Sequence, residues 1–196
     1  RFGAEVGYGN VTDINQVEKD DCNFRIELDS GEVLTSYAFV LGTGARARTL
    51  DLPGERRLTG RGVSYCAICD GNFFKGKDVA VIGGGDSAVQ ESVYLSKLCN
   101  KITLVHRRDE LRASKTLQES ASKKDNIEIA WNSQILDVVG EQKAEGVKIR
   151  DTKTKEERVI PCEGVFFYVG IIPQSDVLKG KIETDELGFI VTNENM

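Results

Sequence analysis

The chain has 196 residues, 40% hydrophobic and 29% charged, a balance that fits one large globular domain or one medium domain with pieces of another. Its net charge of -5 speaks against a nucleic-acid partner, whose phosphates need a basic face; no apolar run approaches the roughly 20 residues of a membrane span, and no signal-peptide pattern opens it. Five cysteines with one close pair do not form a secreted disulfide framework, so a reducing, cytoplasmic setting is expected.

The chain opens at Arg1 with "RFGAEV", which reads like the middle of a fold, and closes on "VTNENM" without a terminal element; the expectation is a fragment of a longer protein. The first third reads as short strands. "AEVGYGNVTDI" and "NFRIELDSGEVLTSYAFVL" alternate apolar and polar residues around a hairpin turn at Asp29-Ser30-Gly31, and "YAFVL" reads as a buried strand stopping at Gly42-Thr43-Gly44-Ala45. "LDLPGERRLTGRG" has proline and glycines but no periodicity, the mark of a linker.

A clearer unit follows. "DVAVIG" is a short continuous apolar strand, and the spacing of Ala88, Val89, Val93, Leu95 and Leu98 predicts a helix from Ser87 to about Leu98. "KITLVH" is the next strand, a second helix is expected over Glu110 to Ser122, and "IEIAW" is a third strand. This is a βαβαβ unit, the mononucleotide-binding half of a doubly wound α/β fold. "QILDVV", "GVKIRD" and "RVIPC" then read as antiparallel strands, "GVFFYVG" as a buried strand, and "ELGFIVT" as strand again. The β-rich character at both ends suggests that the βαβ unit is inserted into another domain.

"VIGGGDSA" places Gly83, Gly85 and Ala88 in a GxGxxA pattern between a predicted strand and a predicted helix, with Asp86 and Ser87 opening that helix. Gly83 permits the tight turn, Gly85 lets a pyrophosphate approach the backbone, and Ala88 lets helix and strand pack closely. Where an NAD site carries an acid, after the next strand, this chain has "HRRDELR": His106, Arg107, Arg108 and Arg112. Guanidinium groups bind a 2'-phosphate through paired charge-assisted bonds, so NADPH is expected; the plainer alternative is a solvated basic face paired with Asp109 and Glu110. His106, the only histidine, is read as lining the nucleotide pocket rather than as a base.

"SYCAICDG" sets Cys66 and Cys69 two residues apart, with Asp70 directly after. Zinc needs four ligands, and Cys22, Cys99, Cys162 and His106 are scattered without ligand spacing. A staple over so short a loop stabilises by only about 2 kcal/mol, against about 3 to 5 for long loops. A redox pair fits best, because CxxC geometry forms a disulfide readily and commonly lowers one thiol's pKa. Moving two electrons into a disulfide also moves protons, which the Asp70 carboxyl is placed to carry; the alternative is an acid capping the turn before Gly71. The other three cysteines are read as packed or inert.

With these residues assembled, "SYCAICDGNFFKGKDVAVIGGGDSAVQES", "YLSKLCNKITLVHRRDELRASK" and "GTGARARTLDLPGERRLTGRG" together resemble the bacterial low-molecular-weight thioredoxin reductases over essentially the whole chain. The resemblance implies a homodimeric flavoprotein with FAD- and NADPH-binding domains, the second inserted in the first: residues 1–52 a partial FAD domain, 53–168 the NADPH domain carrying the CxxC, 169–196 a partial return. It implies that Cys69 faces the flavin, Cys66 attacks the thioredoxin disulfide, Asp70 is the acid/base, Arg107, Arg108 and Arg112 hold the 2'-phosphate, and Thr43 and Gly44 lie near FAD, with Gly42 a departure from the usual alanine. It further implies a domain rotation, with "TLDLPGE" and "YVGIIPQ" as hinge segments. The family's second GxGxxG and its later glycine-aspartate flavin motif are absent here, so the fragment alone is expected to bind FAD weakly or not at all; the alternative reading is a non-catalytic NADPH-binding module. The flavoprotein of alkyl hydroperoxide reductase resembles the chain in its CxxC-Asp motif but lacks the arginine set.

Overall fold

The computed structural model describes residues 3–19 and 22–194. The chain forms two compact units, Arg1–Arg46 with Ile171–Met196, and Ala47–Gly170.

In the first unit β1 (Val11–Lys19), β2 (Cys22–Leu28) and β3 (Val33–Ser36) form an antiparallel sheet in that order. The turn at Asp29-Ser30-Gly31 is closed by Gly31 N–H donating to Leu28 O at 2.9 Å, and Gly31 has φ 84°. Asn10 adds a side-chain bond to Asp29 at 2.7 Å. β4 (Ala45–Ala47) is the partner of a late strand, β13 (Ile171–Pro173). Two expected strands are absent. "YAFVL" has no strand alongside it among the described residues, and Tyr37 and Val40 face outward, 67% and 98% exposed. An apolar run becomes a strand only when a neighbour takes up its hydrogen bonds. "ELGFIVT" makes only the isolated bridge between Thr184 and Ile190.

The second unit begins with a correction to the linker reading of "LDLPGERRLTGRG". Pro53–Leu58 is a helix, α1, with proline in its first turn and Leu58 fully buried. Its residues Glu55 and Leu58 point inward, a single buried row too short to show as periodicity. β5 (Val63–Ser64), α2 (Ala67–Asp70), β6 (Asp78–Gly83), α3 (Asp86–Leu95), β7 (Lys101–Val105), α4 (Lys115–Ser122) and β8 (Ile127–Ala130) follow. Then come β9 (Ser133–Val139), β10 (Gly146–Asp151), β11 (Glu157–Pro161) and β12 (Gly164–Tyr168).

A five-stranded sheet in the order β5-β12-β6-β7-β8, with every pairing parallel, is the centre of this unit. Its strands are apolar on both faces because both faces are covered. Val79, Val81, Ile102, Leu104 and Phe166 pack on the side of α3 and α4. Their neighbours Ala80, Ile82, Val105, Val165 and Phe167 pack on the other side with Leu58 and the antiparallel sheet β11-β10-β9. Phe166 and Phe167 are adjacent and both buried, so the period-2 pleat sends one to each core. Each such aromatic ring taken out of water contributes about 1.5–3 kcal/mol. This is the Rossmann-like α/β fold with added antiparallel strands.

The second helix starts later than its pattern predicts. Residues 107–114 are loop, and the last three have their N–H groups bonded elsewhere: Arg112 and Ala113 N–H donate to Gly84 O at 2.8 and 3.2 Å, and Ser114 N–H to Asp86 Oδ1 at 2.7 Å. The first helix ends at Leu95, and Ser96 to Cys99 continue as turns bonded back to it.

Candidate functional site

Cys66 and Cys69 are joined by a disulfide across the single turn of α2, with Cα atoms 5.3 Å apart. Two intervening residues in a helical turn bring both sulfurs to one side. Cys69 N–H donates to Cys66 Sγ at 3.2 Å, a contact that favours negative charge on that sulfur once the bond is opened. Cys69 is the more exposed of the two.

Asp70 does not cap the following 3-10 turn, Gly71–Phe74. Its carboxyl instead accepts the hydroxyl of buried Ser64 at 2.6 Å, and the same Ser64 oxygen accepts Cys66 N–H at 3.1 Å. A second support comes from β12, where the Tyr168 hydroxyl oxygen accepts Ala67 N–H at 2.8 Å. Burial first of all pushes the Tyr168 phenol up to about 12. The disulfide turn is thus fixed from two sides, by Ser64 just ahead of it and by Tyr168 from β12.

Next to it, a cleft of about 380 Å³ opens at the carboxyl ends of the parallel strands, where open α/β sheets bind ligands. Gly83, Gly84, His106, Arg107, Arg112 and Tyr168 are among its lining residues. Gly83 has φ 153°, and a Cβ there would sit 2.5 Å from Tyr168 O and 2.8 Å from Ala88 Cβ. Only glycine at 83 and a small residue at 88 allow the strand-to-helix turn. A Cβ on Gly85, by contrast, would meet nothing, which leaves the N-terminus of α3 open to a phosphate. Asp86 and Ser87 start that helix, and the Asp86 carboxyl is engaged by Ser114 N–H.

The three arginines stand on the loop that grips this glycine turn. Arg107 and Arg112 line the cleft; Arg108 lies on the same loop and does not. Asp109 pairs with Lys153 at 3.1 Å rather than with an arginine, and no ion pair within 4.0 Å joins Arg107, Arg108 or Arg112 to an acid among the described residues. Exposed guanidiniums held beside a glycine cradle without carboxylate partners suit a doubly charged phosphate. His106 is buried against the turn, its Nε2–H donating to Glu110 O at 2.9 Å.

Thr43 and Gly44 lie in the first unit, in a cleft of about 220 Å³ that Pro173 and Phe189 also line. Thr43 Oγ1 donates to Gln174 O at 2.6 Å and Gln174 Nε2 to Thr43 O at 3.1 Å, so this threonine side chain is already engaged. The cleft is smaller than the about 300–1,000 Å³ of common cofactor pockets. Cys99 and Cys162 are buried free thiols, pushed by desolvation to about 11 and about 12. The Cys22 side chain lies outside the described residues.

Comparison with known proteins decides the family. The model of the pyridine nucleotide-disulphide oxidoreductases matches residues 2–196. The chain belongs to that family. It is 42% identical to the thioredoxin reductase of Listeria monocytogenes over 197 residues, covering all of this chain and 60% of that one. It is 44% identical to the thioredoxin reductase of Treponema pallidum over 195 residues, covering all of this chain and 62% of that one. Among solved structures, Lactococcus lactis thioredoxin reductase in its FR conformation matches with a TM-score of 0.84 and 38% identity, over 97% of this chain and 62% of that one. The T. acidophilum thioredoxin reductase also reaches 0.84, at 33% identity over 94% and 60%. The chain therefore spans about three-fifths of the length of these relatives.

Reading the residues in order misses Ser64, Tyr65, Tyr168 and Glu55. Only the position of Glu55 carries a local signal, an acid three residues after the helix cap. Ser64 reaches Asp70 across 6 positions, Tyr65 meets Glu55 across 10, and Tyr168 meets Ala67 across 101.

Proposed function

We propose that this chain is the nucleotide- and dithiol-bearing part of a thioredoxin-disulfide reductase. In this reading the whole protein would hold FAD, which would supply the passage of two electrons from NADPH to the Cys66–Cys69 disulfide. Arg107, Arg108 and Arg112 hold the 2'-phosphate, while Gly83, Gly85, Asp86, Ser87, Ala88 and His106 form the cradle. The support for this is the glycine turn with its unpaired arginines beside a CxxC disulfide in one unit.

Opening the disulfide consumes two electrons and two protons and leaves two thiols. Asp70, joined through Ser64 to the backbone of Cys66, is the carrier of those protons. Cys66, with the Cys69 N–H on its sulfur, attacks one sulfur of the thioredoxin disulfide and forms a mixed disulfide. Cys69 then displaces thioredoxin as a dithiol, which restores Cys66–Cys69. Thr43 and Gly44 contribute to the FAD site, and the whole protein acts as a cytoplasmic homodimer. Among the described residues no helix is long and apolar enough to cross a membrane.

The test is thioredoxin-dependent NADPH oxidation by the full-length protein. Turnover with NADPH at least about a hundredfold above NADH, abolished by Cys69→Ser, is the expected result. A yellow, folded protein that leaves thioredoxin oxidised would overturn the reading.

A further inference from the structure

Glu55 is fully buried in α1, outside the glycine turn and the disulfide turn, yet it is bonded towards both. Its Oε2 accepts Leu50 N–H at 3.0 Å and Leu52 N–H at 3.2 Å, and its Oε1 accepts the Tyr65 hydroxyl at 2.9 Å. Leu50 and Leu52 line the nucleotide cleft. Tyr65 immediately precedes Cys66, and its ring lies 5.9 Å from that of Phe167 in the central sheet. One carboxyl thus joins the cleft wall to the entry of the disulfide turn.

The arrangement exceeds what ending a helix requires. An acid at the third helical position commonly accepts the N-cap N–H, here that of Leu52. Glu55 takes two further donors, and between Leu50 and Leu52 the backbone passes through Asp51 at φ 59°, a left-handed turn that aspartate adopts more readily than most residues and that aims both flanking amides at one carboxyl. Among the described residues no cation lies within 4.0 Å of the buried carboxyl, so these three donors are the partners that it has. Each donor in turn loses its acceptor if the carboxyl is removed.

We propose that Glu55 is a positioning residue of the nucleotide cleft: it sets the Leu50–Leu52 wall in place and, through Tyr65, keeps that wall in register with the backbone that enters Cys66. This rests on the reading of the cleft as an NADPH site. Glu55 touches neither nucleotide nor sulfur; it acts through the three groups that it binds.

The experiment combines amide hydrogen exchange with NADP+ titration of the disulfide form, which holds no reducing equivalents to transfer. Glu55→Met keeps the volume and removes both acceptors. Leu50 and Leu52 amides should then exchange about a hundredfold faster while NADP+ binds about tenfold more weakly. Glu55→Gln retains one oxygen that accepts both amides, and should restore slow exchange and bring NADP+ affinity within about threefold of the parent. Tyr65→Phe should leave those amides slow but let dithiothreitol open Cys66–Cys69 about threefold faster or more. A folded Glu55→Met protein with unchanged exchange at Leu50 and Leu52, or with unchanged NADP+ affinity, overturns the proposal. Where Glu55→Met does not fold, the parent decides: Leu50 and Leu52 amides must be among its slow exchangers and slow further on adding NADP+, and fast exchange rejects the role. A parent that binds no NADP+, with the wall amides protected and then freed in Glu55→Met, removes the nucleotide reading and leaves the positioning role standing.

Discussion

The imidazole of His106 fills the space that any side chain at Gly84 would need, at the end of the strand next to the glycine turn. The two residues lie 22 positions apart and meet because β6 and β7 are parallel neighbours, with Ile82 paired to Val105. This contact explains a third glycine that the dinucleotide pattern itself leaves free.

Gly84→Ala should therefore destabilise the chain by about 1–3 kcal/mol, the usual cost of forcing a group into a packed site. Tm should fall by roughly 2–4 °C per kcal/mol in a chain of this size. Urea denaturation of the two proteins measures it. An equally stable variant would show that the ring can move aside.

The same burial gives His106 a pH signature. Desolvation foremost lowers its pKa below the ordinary 6.5, so the unfolded chain binds the proton more readily than the folded one. Its contribution to stability is complete above about 6.5, the unfolded value, and is lost as pH falls towards and through the lower folded value. Urea midpoints from pH 8 down to 5 should decline less steeply in His106→Gln than in the parent. Parallel curves would contradict the assignment.

Arg107 and Arg112 border the cleft without acidic partners among the described residues, so removing both should act on the ligand rather than on the fold. Arg107→Ala with Arg112→Ala should weaken NADP+ by about a hundredfold to ten-thousandfold, at roughly 1.5–3 kcal/mol for each charge-assisted bond. NAD+ lacks the 2'-phosphate, so its affinity should move far less. Calorimetric titration with both nucleotides distinguishes the two effects, and equal losses would reject the phosphate role.

Much of the second unit is legible in order along the chain. "DVAVIG", "KITLVH" and "GVFFYVG" are apolar runs too short for helices, and a parallel sheet covered on both faces needs that pattern. The glycine turn, the arginine cluster and CxxC are equally local, since each depends on residues within a few positions of one another. By contrast, "YAFVL" and "ELGFIVT" have the composition of strands without the partner that would make them so. Residues 110–114 have the composition of a helix, but the amides of Arg112, Ala113 and Ser114 are claimed by Gly84 and Asp86.

Backbone periodicity and short-range spacing were enough to specify the parallel α/β unit, the glycine turn and the paired sulfurs, because each depends on residues close together along the chain. Which groups support them is set by packing between elements: Ser64 under Asp70, Tyr168 on Ala67, His106 over Gly84, and Glu55 between Leu52 and Tyr65. The His106 contact is one of packing; the others join donors and acceptors that must find one another as water is excluded, and the choice among candidates depends on how strands and helices come to lie side by side.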